Sequence, residues 1–322
     1  MEKKDLRIVF LGTPEFAAVS LRALVEGGYN VVGVVTMPDK PAGRGHKLLQ
    51  SPVKQYALSR GLKLMQPERL KAADFLDELR SLNADLQVVV AFRMLPEVVW
   101  AMPPRGTFNL HASLLPQYRG AAPINWAIIN GERETGVTTF FLKHEIDTGE
   151  IIDRLTTPIG PDEDFGTVYD RLAALGAGLV TRTVDAIIDG TVTSRPQDES
   201  TVSGALHPAP KIFKDMCRID WSMPARRVHD FVRGLSPLPA AWSELHEDGK
   251  DPVVVKVMST AVEAAGHNLP AGTIVTDNRH SLKVAVPDGY VSLLSMQMPG
   301  KRRMTAVEVL NGHKFGGTAH FE

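Results

Sequence analysis

An asparagine and a histidine stand two residues apart in a short apolar segment, Thr107-Phe-Asn-Leu-His111. If this segment is a strand, alternation places Asn109 and His111 on one face and the two apolar side chains on the other. An amide polarises a carbonyl oxygen and an imidazole moves a proton, so the pair supplies two of the groups that acyl transfer to an amine needs. A purely structural role remains open, in which His111 is a hydrogen-bonded histidine at the end of a strand.

A carboxylate follows the next strand-like run, within Lys143-His-Glu-Ile-Asp147-Thr-Gly149. In a parallel sheet the carboxyl ends of the strands line the crevice where ligands bind, so we expect Asp147 to face the same crevice as Asn109 and His111. There it would orient and charge the imidazole. Aspartic proteases also carry Asp-Thr-Gly, but they use two such carboxylates in a β-rich framework, and this sequence has one in α/β surroundings. A turn-forming aspartate is the structural alternative.

Strand-like and helical signals alternate through the first half of the chain. Apolar runs that predict strands cover 7–11, 31–36, 86–91, 107–110 and 137–142. Helical patterns cover 14–26, 68–82 and 164–188, and Ser51-Pro52 opens a further helix. This rhythm predicts an α/β domain over 1–190, with a doubly wound and mostly parallel sheet.

The sequence pattern changes after Gly190. Ser, Thr and Pro are frequent in 191–206, which we interpret as a surface linker. A helix from 224 to 233, capped by Ser222, follows. Short alternating segments then cover 241–245, 253–258, 272–275, 282–286 and 290–296. Such a series predicts a small β-barrel domain over 207–322.

Length, charge and cysteine content bound the function. The 322 residues are enough for about two domains, and the formal net charge of -1 gives no global attraction for nucleic acid, so such a partner needs a local basic patch. The lone Cys217 excludes an internal disulfide. No apolar run approaches a membrane span, and acidic residues near the start argue against a signal peptide. We therefore expect a cytoplasmic protein, and a monomer because no heptad repeat or extended apolar face stands out.

Three motifs together resemble the signature of the folate-dependent formyltransferase family: Asn109-x-His111, Ser113-Leu-Leu-Pro-x-Tyr-Arg-Gly120 and Asp147-Thr-Gly149. The resemblance implies a Rossmann-like domain in which Asn109, His111 and Asp147 act on 10-formyltetrahydrofolate as the co-substrate. Asn109 would donate to the developing oxyanion, and His111 would either join it as an imidazolium or relay the proton of the amine. It also implies that two loops line the folate pocket. Their residues are Ser113, Leu114, Leu115 and Pro116 in one loop, and Phe92, Arg93, Met94 and Leu95 in the other.

The second of these loops departs from the family pattern, because it is a residue shorter and Arg93 replaces a glycine. We expect Arg93 either to cover the pterin side of the pocket or to pair with a carboxylate. The first strand lacks the spaced glycines of a dinucleotide fingerprint, so we expect no NAD. The histidines are scattered without ligand spacing, so we expect no metal.

The segment Met37-Pro-Asp-Lys-Pro-Ala-Gly-Arg-Gly-His-Lys-Leu48 resembles the loop that methionyl-tRNA formyltransferases insert to meet the acceptor end of tRNA. Between 36 and 54, four Lys and Arg stand against one Asp, a balance of +3 that suits a phosphate backbone. The resemblance implies tRNA contacts by Lys40, Arg44, His46 and Lys47. Taken alone, a loop of this kind is more often only solvated.

The second half is similar to the OB-like barrel domain of the same branch, through Arg218-Ile-Asp-Trp221 and Gln297-Met-Pro-Gly-Lys-Arg-Arg-Met304. Lys301, Arg302 and Arg303 are its best candidates for a tRNA contact, with a charged surface turn as the alternative. The whole resemblance implies formylation of the α-amino group of methionyl initiator tRNA for translation initiation.

Three other classes remain open: a sugar-nucleotide amine formyltransferase that shares the catalytic set, a shorter transformylase of purine synthesis, and an RNA-binding module without catalysis. The insert and the barrel argue against the first, the second domain against the next, and the intact catalytic set against the last.

Overall fold

The computed structural model describes residues 1–42, 47–145, 147–201 and 204–322, and they form two compact units. The first unit comprises Met1–Gly120, Thr135–Thr157 and Tyr169–Pro208. The second unit comprises Ala121–Glu134, Pro158–Val168 and Ala209–Glu322. The predicted linker at 191–206 thus lies within the first unit wherever it is described.

The first half of the chain contributes a mostly parallel sheet and a separate pair of short strands. Their bounds are β1 Ile8–Gly12, β2 Val31–Val35, β3 Lys40–Ala42, β4 Lys47–Leu49, β5 Leu64–Met65, β6 Leu86–Val90, β7 Thr107–His111, β8 Glu134–Phe141 and β9 Ile151–Pro158. The sheet order is β5-β2-β1-β6-β7-β8-β9, while β3 and β4 pair with each other as a hairpin. Parallel pairing runs from β5 to β7, and β8 is antiparallel to β7. The predicted α/β sheet is confirmed.

Helices connect these strands. Their bounds are α1 Glu15–Glu26, α2 Pro52–Ser59, α3 Ala73–Ser81, α4 Glu97–Trp100, α5 Pro123–Ile129 and α6 Phe165–Asp189. Ser51 caps α2 as predicted, because its hydroxyl accepts a hydrogen bond from the Lys54 amide at 3.1 Å. The helix predicted over 68–82 is shorter, because the backbone of Ala72 is extended and α3 begins after it.

One face of β7 is fixed by close packing. Leu110 is buried, and a Cβ added to Gly176 of α6 would lie 2.7 Å from Leu110 Cδ2. A side chain at position 176 would therefore have to displace the end of Leu110. Since side chains alternate along a strand, Asn109 and His111 lie on the opposite face.

The second unit contains an antiparallel, nearly closed barrel, as predicted. Its strands are β10 Ala241–His246, β11 Val253–Ala264, β12 Ile274–Thr276, β13 Leu282–Val286, β14 Gly289–Gln297, β15 Met304–Thr305 and β16 His320–Phe321, with helices α7 Ala225–Leu235 and α8 Ala306–Gly312. The order is β12-β13-β14-β11-β10-β16, and β15 pairs with β14. An isolated bridge between Thr273 and His320 brings the two ends of this order together.

Helix α7 begins differently from the prediction. Ser222 does not cap it: Pro224 holds the capping position without a side-chain hydrogen bond, and the Ser222 hydroxyl donates to Asp220. The amide of Ala225 instead donates to Asp288 Oδ1 at 2.7 Å, so a carboxylate from the turn between β13 and β14 satisfies the helix start. Among the described residues, no helix combines the length and apolar character that a bilayer crossing needs.

Candidate active site

His111 and Asp147 form a close pair. His111 is buried at the end of β7, and its Nδ1 lies 3.8 Å from Asp147 Oδ2. Its other ring nitrogen, Nε2, lies 2.8 Å from the carbonyl oxygen of Tyr118. Because a carbonyl only accepts, Nε2 carries the proton of this hydrogen bond. Nδ1 is therefore the nitrogen that can gain or lose a proton, and it faces a carboxylate.

Asn109 supplies an unused polar group on the same strand face. Its side chain is half-buried, and within the described part of the chain no residue forms a hydrogen bond with its side-chain amide. Two N–H donors and one oxygen acceptor thus stay available to a ligand next to the histidine.

Asp147 reaches this place by a route different from the expected one. Because β8 is antiparallel to β7, its last residue, Phe141, pairs with Phe108 near the start of β7. The expectation of parallel strands with their carboxyl ends together is therefore wrong for β8. Asp147 lies in the connection from β8 to β9, and the Gly120 amide donates to its Oδ2 at 3.1 Å.

The backbone of Asp147 adopts the left-handed conformation, with φ of 54°. Such a residue needs support from its surroundings. Gln197 gives part of it, since its Nε2 donates to the carbonyl oxygens of Asp147 at 2.6 Å and of Gly149 at 2.9 Å. Gly149 leaves no room for a side chain, because a Cβ there would lie 1.6 Å from the carbonyl oxygen of Phe141.

Arg119 holds Gln197 in this orientation. Its Nε and Nη2 donate to Gln197 Oε1 at 3.1 and 2.7 Å, and its Nη1 binds Glu199 at 2.7 Å. Gln197 lies in the segment that the sequence marks only as a linker, so sequence reasoning missed it. The one sequence feature that could have indicated a partner such as Gln197 was Arg119, in the loop 113–120.

The loop after β7 is built mainly from buried side chains. Ser113 Oγ donates to the Gln117 carbonyl at 2.6 Å, and Thr138 Oγ1 donates to the Ser113 carbonyl at 2.6 Å. Leu115 and Pro116 are buried, whereas Leu114 is half-buried. These residues fix the path of the loop backbone more than they present polar groups.

The loop from 92 to 95 divides in the same way. Phe92 and Leu95 pack into the core, and Met94 is 73% exposed. Arg93 donates to the carbonyl oxygens of Glu68, at 2.8 Å, and Pro67. Burial lowers the pKa of this guanidinium from its ordinary value. Within the described residues it pairs with no carboxylate, so that expectation for Arg93 is wrong.

Of the residues predicted to contact tRNA, those that the structure describes lie on the β3–β4 hairpin and in a turn of the second unit. Lys40 and Lys47 lie on the β3–β4 hairpin, while the predictions for Arg44 and His46 fall outside the described residues. In the second unit, the three basic residues of the turn before β15 are exposed. Arg302 is paired with Glu308 at 2.6 Å, Arg303 donates to Ser295, and Lys301 has no side-chain partner in the described part of the chain.

Comparison with known proteins identifies the family. Residues 6–184 match the formyl transferase family, and residues 211–314 match the formyl transferase C-terminal domain. The methionyl-tRNA formyltransferase of Bacteroides fragilis is 62% identical over 97% of this chain and 96% of its own length. That of Parabacteroides distasonis is 62% identical over 98% of both chains.

Solved structures show the same fold at lower identity. WlaRD, a sugar 3N-formyl transferase solved with dTDP and 5-N-formyl-THF, has a TM-score of 0.63 at 19% identity, covering 92% of this chain and 99% of its own. HypX from Aquifex aeolicus in complex with tetrahydrofolic acid has a TM-score of 0.61 at 20% identity, covering 95% of this chain and 47% of its own. From these matches, the chain belongs to the formyl transferase family, alongside methionyl-tRNA formyltransferases that match it over almost its entire length.

Proposed function

We propose that this protein transfers the formyl group of 10-formyltetrahydrofolate to the α-amino group of methionyl initiator tRNA. The observation that carries the proposal is the side-chain amide of Asn109, which no described residue binds, on the strand face of His111, whose Nδ1 lies 3.8 Å from Asp147. The 62% identity to methionyl-tRNA formyltransferases over nearly the whole chain supports this acceptor.

The site fits a carbonyl donor. The folate carrier supplies an activated formyl carbonyl, and the side-chain N–H groups of Asn109, which no described residue occupies, suit its oxygen. Asn109 donates to that oxygen as it gains negative charge in the transition state, which is where a fixed donor lowers the barrier most. A half-buried position strengthens this hydrogen bond, because water competes less there.

The amine must lose a proton as its nitrogen bonds to the formyl carbon and the bond from that carbon to the carrier nitrogen breaks. His111 Nδ1 is the group that accepts this proton, since Nε2 stays protonated on the Tyr118 carbonyl. Asp147 then stabilises the imidazolium across the 3.8 Å separation. The proton returns from Nδ1 to the leaving nitrogen of the carrier.

The remaining residues bind the two substrates. We assign the loops 92–95 and 113–116 to the folate, and Arg93, held on two carbonyls, gives the first of them its path. The β3–β4 hairpin and Lys301 to Arg303 contact the tRNA phosphates. We assign 1–190 to the catalytic domain, 191–206 to the linker and 207–322 to the tRNA-contacting domain. The protein acts as a cytoplasmic monomer, and it uses neither metal nor NAD in this reaction.

A parallel transfer assay tests this function. Purified protein and 10-formyltetrahydrofolate are offered charged initiator methionyl-tRNA, charged elongator methionyl-tRNA, or a UDP-linked 4-amino sugar. We expect formylation of the initiator tRNA alone, at a rate that falls with added salt because phosphate contacts release counterions. Transfer to the sugar, or to no acceptor, would contradict the proposal.

A further inference from the structure

Two histidines and a glutamate converge on the barrel of the second unit, and they take no part in the chemistry proposed above. His246 ends β10, His320 begins β16, and the two residues are direct partners in the antiparallel register. Glu322 follows His320 by two residues. Strand pairing therefore brings together three side chains that can bind a metal ion. His246 lies far from the other two in the sequence, and the spacing of His320 and Glu322 alone is not a metal-binding motif.

The spacing of the three ligand atoms suits one small cation. His246 Nε2 lies 3.5 Å from Glu322 Oε2, and His320 Nε2 lies 3.7 Å from Glu322 Oε1. One ligand atom from each residue lies within 4.8 Å of the others. Tetrahedral zinc with bonds of about 2.0–2.1 Å holds its ligand atoms about 3.4 Å apart. The two imidazole rings are stacked with their centroids 5.1 Å apart, so side-chain rotations that turn both Nε2 atoms towards one ion complete the geometry.

The surroundings of the two imidazoles leave Nε2 as the candidate ligand atom of each. His320 Nδ1 lies 3.0 Å from the Thr318 carbonyl, which only accepts, so Nδ1 carries a proton and, in the neutral imidazole, Nε2 offers its lone pair. A backbone carbonyl on the distal nitrogen is the usual support of a metal-binding histidine. His246 Nε2 is buried and forms no hydrogen bond with any described residue, although Glu322 Oε2 lies 3.5 Å away. A buried nitrogen without a hydrogen bond is uncommon, and a metal ion bound between it and Glu322 would satisfy it.

The backbone holds the three residues in place in advance. Leu245 and Phe321 pair across the same two strands, and both are buried. Glu244 and Glu322 exchange two main-chain hydrogen bonds, of 3.1 and 3.0 Å. Ser243 Oγ also donates to the Glu322 carbonyl, at 2.6 Å. The backbone is thus ordered before an ion binds, and only the side chains remain to be ordered.

We propose that His246, His320 and Glu322 form a binding site for a divalent transition-metal ion, with Zn²⁺ as the best match. Two imidazoles and one carboxylate are ligands that zinc accepts, whereas Mg²⁺ and Ca²⁺ require mainly oxygen. Water completes the coordination. Because the ligands come from both β10 and β16, the ion ties these strands together and stabilises the second unit.

Zinc titration of the untagged, full-length protein tests the site. Isothermal titration calorimetry is run on the wild type, on His246→Ala, His320→Ala and Glu322→Gln, and on His280→Ala as an exposed-histidine control. We expect one Zn²⁺ per chain for the wild type and the control. Each ligand variant should bind more than about tenfold more weakly, since even outer partners of metal ligands cause losses of this size. Absent binding, or equal binding by all variants, would overturn the proposal.

Thermal unfolding gives a second readout. We expect the melting temperature of the wild type to rise with Zn²⁺ and not with Mg²⁺, and this rise to vanish in Glu322→Gln. That substitution keeps the size of an exposed side chain, so the metal-free variant should melt like the wild type. A Zn²⁺-induced rise of equal size in Glu322→Gln would contradict a site made by these residues.

Discussion

The side-chain amide of Gln197 donates to the main-chain carbonyl of Asp147 at 2.6 Å. The contact joins a Ser-, Thr- and Pro-rich segment to the residue whose carboxylate faces His111. Since Asp147 has a left-handed backbone, the direction of its carboxylate depends on such contacts. Gln197 is thus a positioning residue for the proposed chemistry.

Substitution of Gln197 should slow formyl transfer. We expect Gln197→Ala to lower kcat about 10- to 100-fold with KM for tRNA little changed, because a misplaced catalytic group costs about this much. Gln197→Asn should recover less than full activity, since the shorter amide reaches only one carbonyl. Gln117→Ala is the matched control, because Gln117 binds the same segment through Ala205 and His207 without touching Asp147. Equal losses in Gln197→Ala and Gln117→Ala would point to a general structural effect.

His111 and Asp147 should behave as one unit. If the proton enters at Nδ1 beside the carboxylate, the double variant His111→Ala/Asp147→Asn should turn over no more slowly than the slower single variant. Residues that act together in this way are strongly non-additive. Steady-state kinetics on the three variants measures the coupling. Losses that simply multiply would mean that the two residues act independently.

A buried ion pair should stabilise the second unit. Arg233 and Asp230 are both almost fully buried and lie 2.7 Å apart. We expect Arg233→Met to lower the free energy of unfolding by about 3 kcal/mol, because it leaves a buried carboxylate with less compensation. Urea unfolding measures this free energy. Arg227 is exposed on the same helix, and Arg227→Met should change the free energy of unfolding by less than about 0.5 kcal/mol. Equal effects of both substitutions would count against the pair.

The stability of the second unit should depend on pH through His229. This side chain is buried on α7 beside Thr260, and burial is the main reason that the pKa of its imidazole is lowered below 6.5. The unfolded chain therefore binds a proton first as the pH falls below about 6.5. The stability that neutral His229 contributes is present above about pH 6.5 and is lost as the pH falls towards the lower pKa of the folded state. We expect the difference in unfolding free energy between wild type and His229→Asn to shrink from about pH 8 to about pH 5. A constant difference would contradict this.

Periodicity in the sequence predicted what depends on local pattern. Alternation in Thr107–His111 placed Asn109 and His111 on one face, and Ser51 followed by proline marked the start of α2. Five strands of the barrel were also predicted, and alternation is clearest in β10, whereas the two-residue strands β15 and β16 are too short to leave a pattern.

Contacts between distant segments were not predictable in this way. A strand pattern carries no direction, so the antiparallel course of β8 was missed. Asp288 caps α7 from a distant turn, which no local motif reveals. Gln197 and the pair of His246 with His320 depend likewise on where the chain returns, and composition in those segments gives no sign of it.

The most direct test of the account is the turnover of Asn109→Ala on charged initiator methionyl-tRNA with saturating 10-formyltetrahydrofolate. Loss of one oxyanion donor should lower kcat about 100- to 1000-fold, with an unchanged melting temperature because the side-chain amide makes no hydrogen bond to any described residue. Turnover near that of the wild type would show that Asn109 does not polarise the formyl oxygen, and the proposed mechanism would fall.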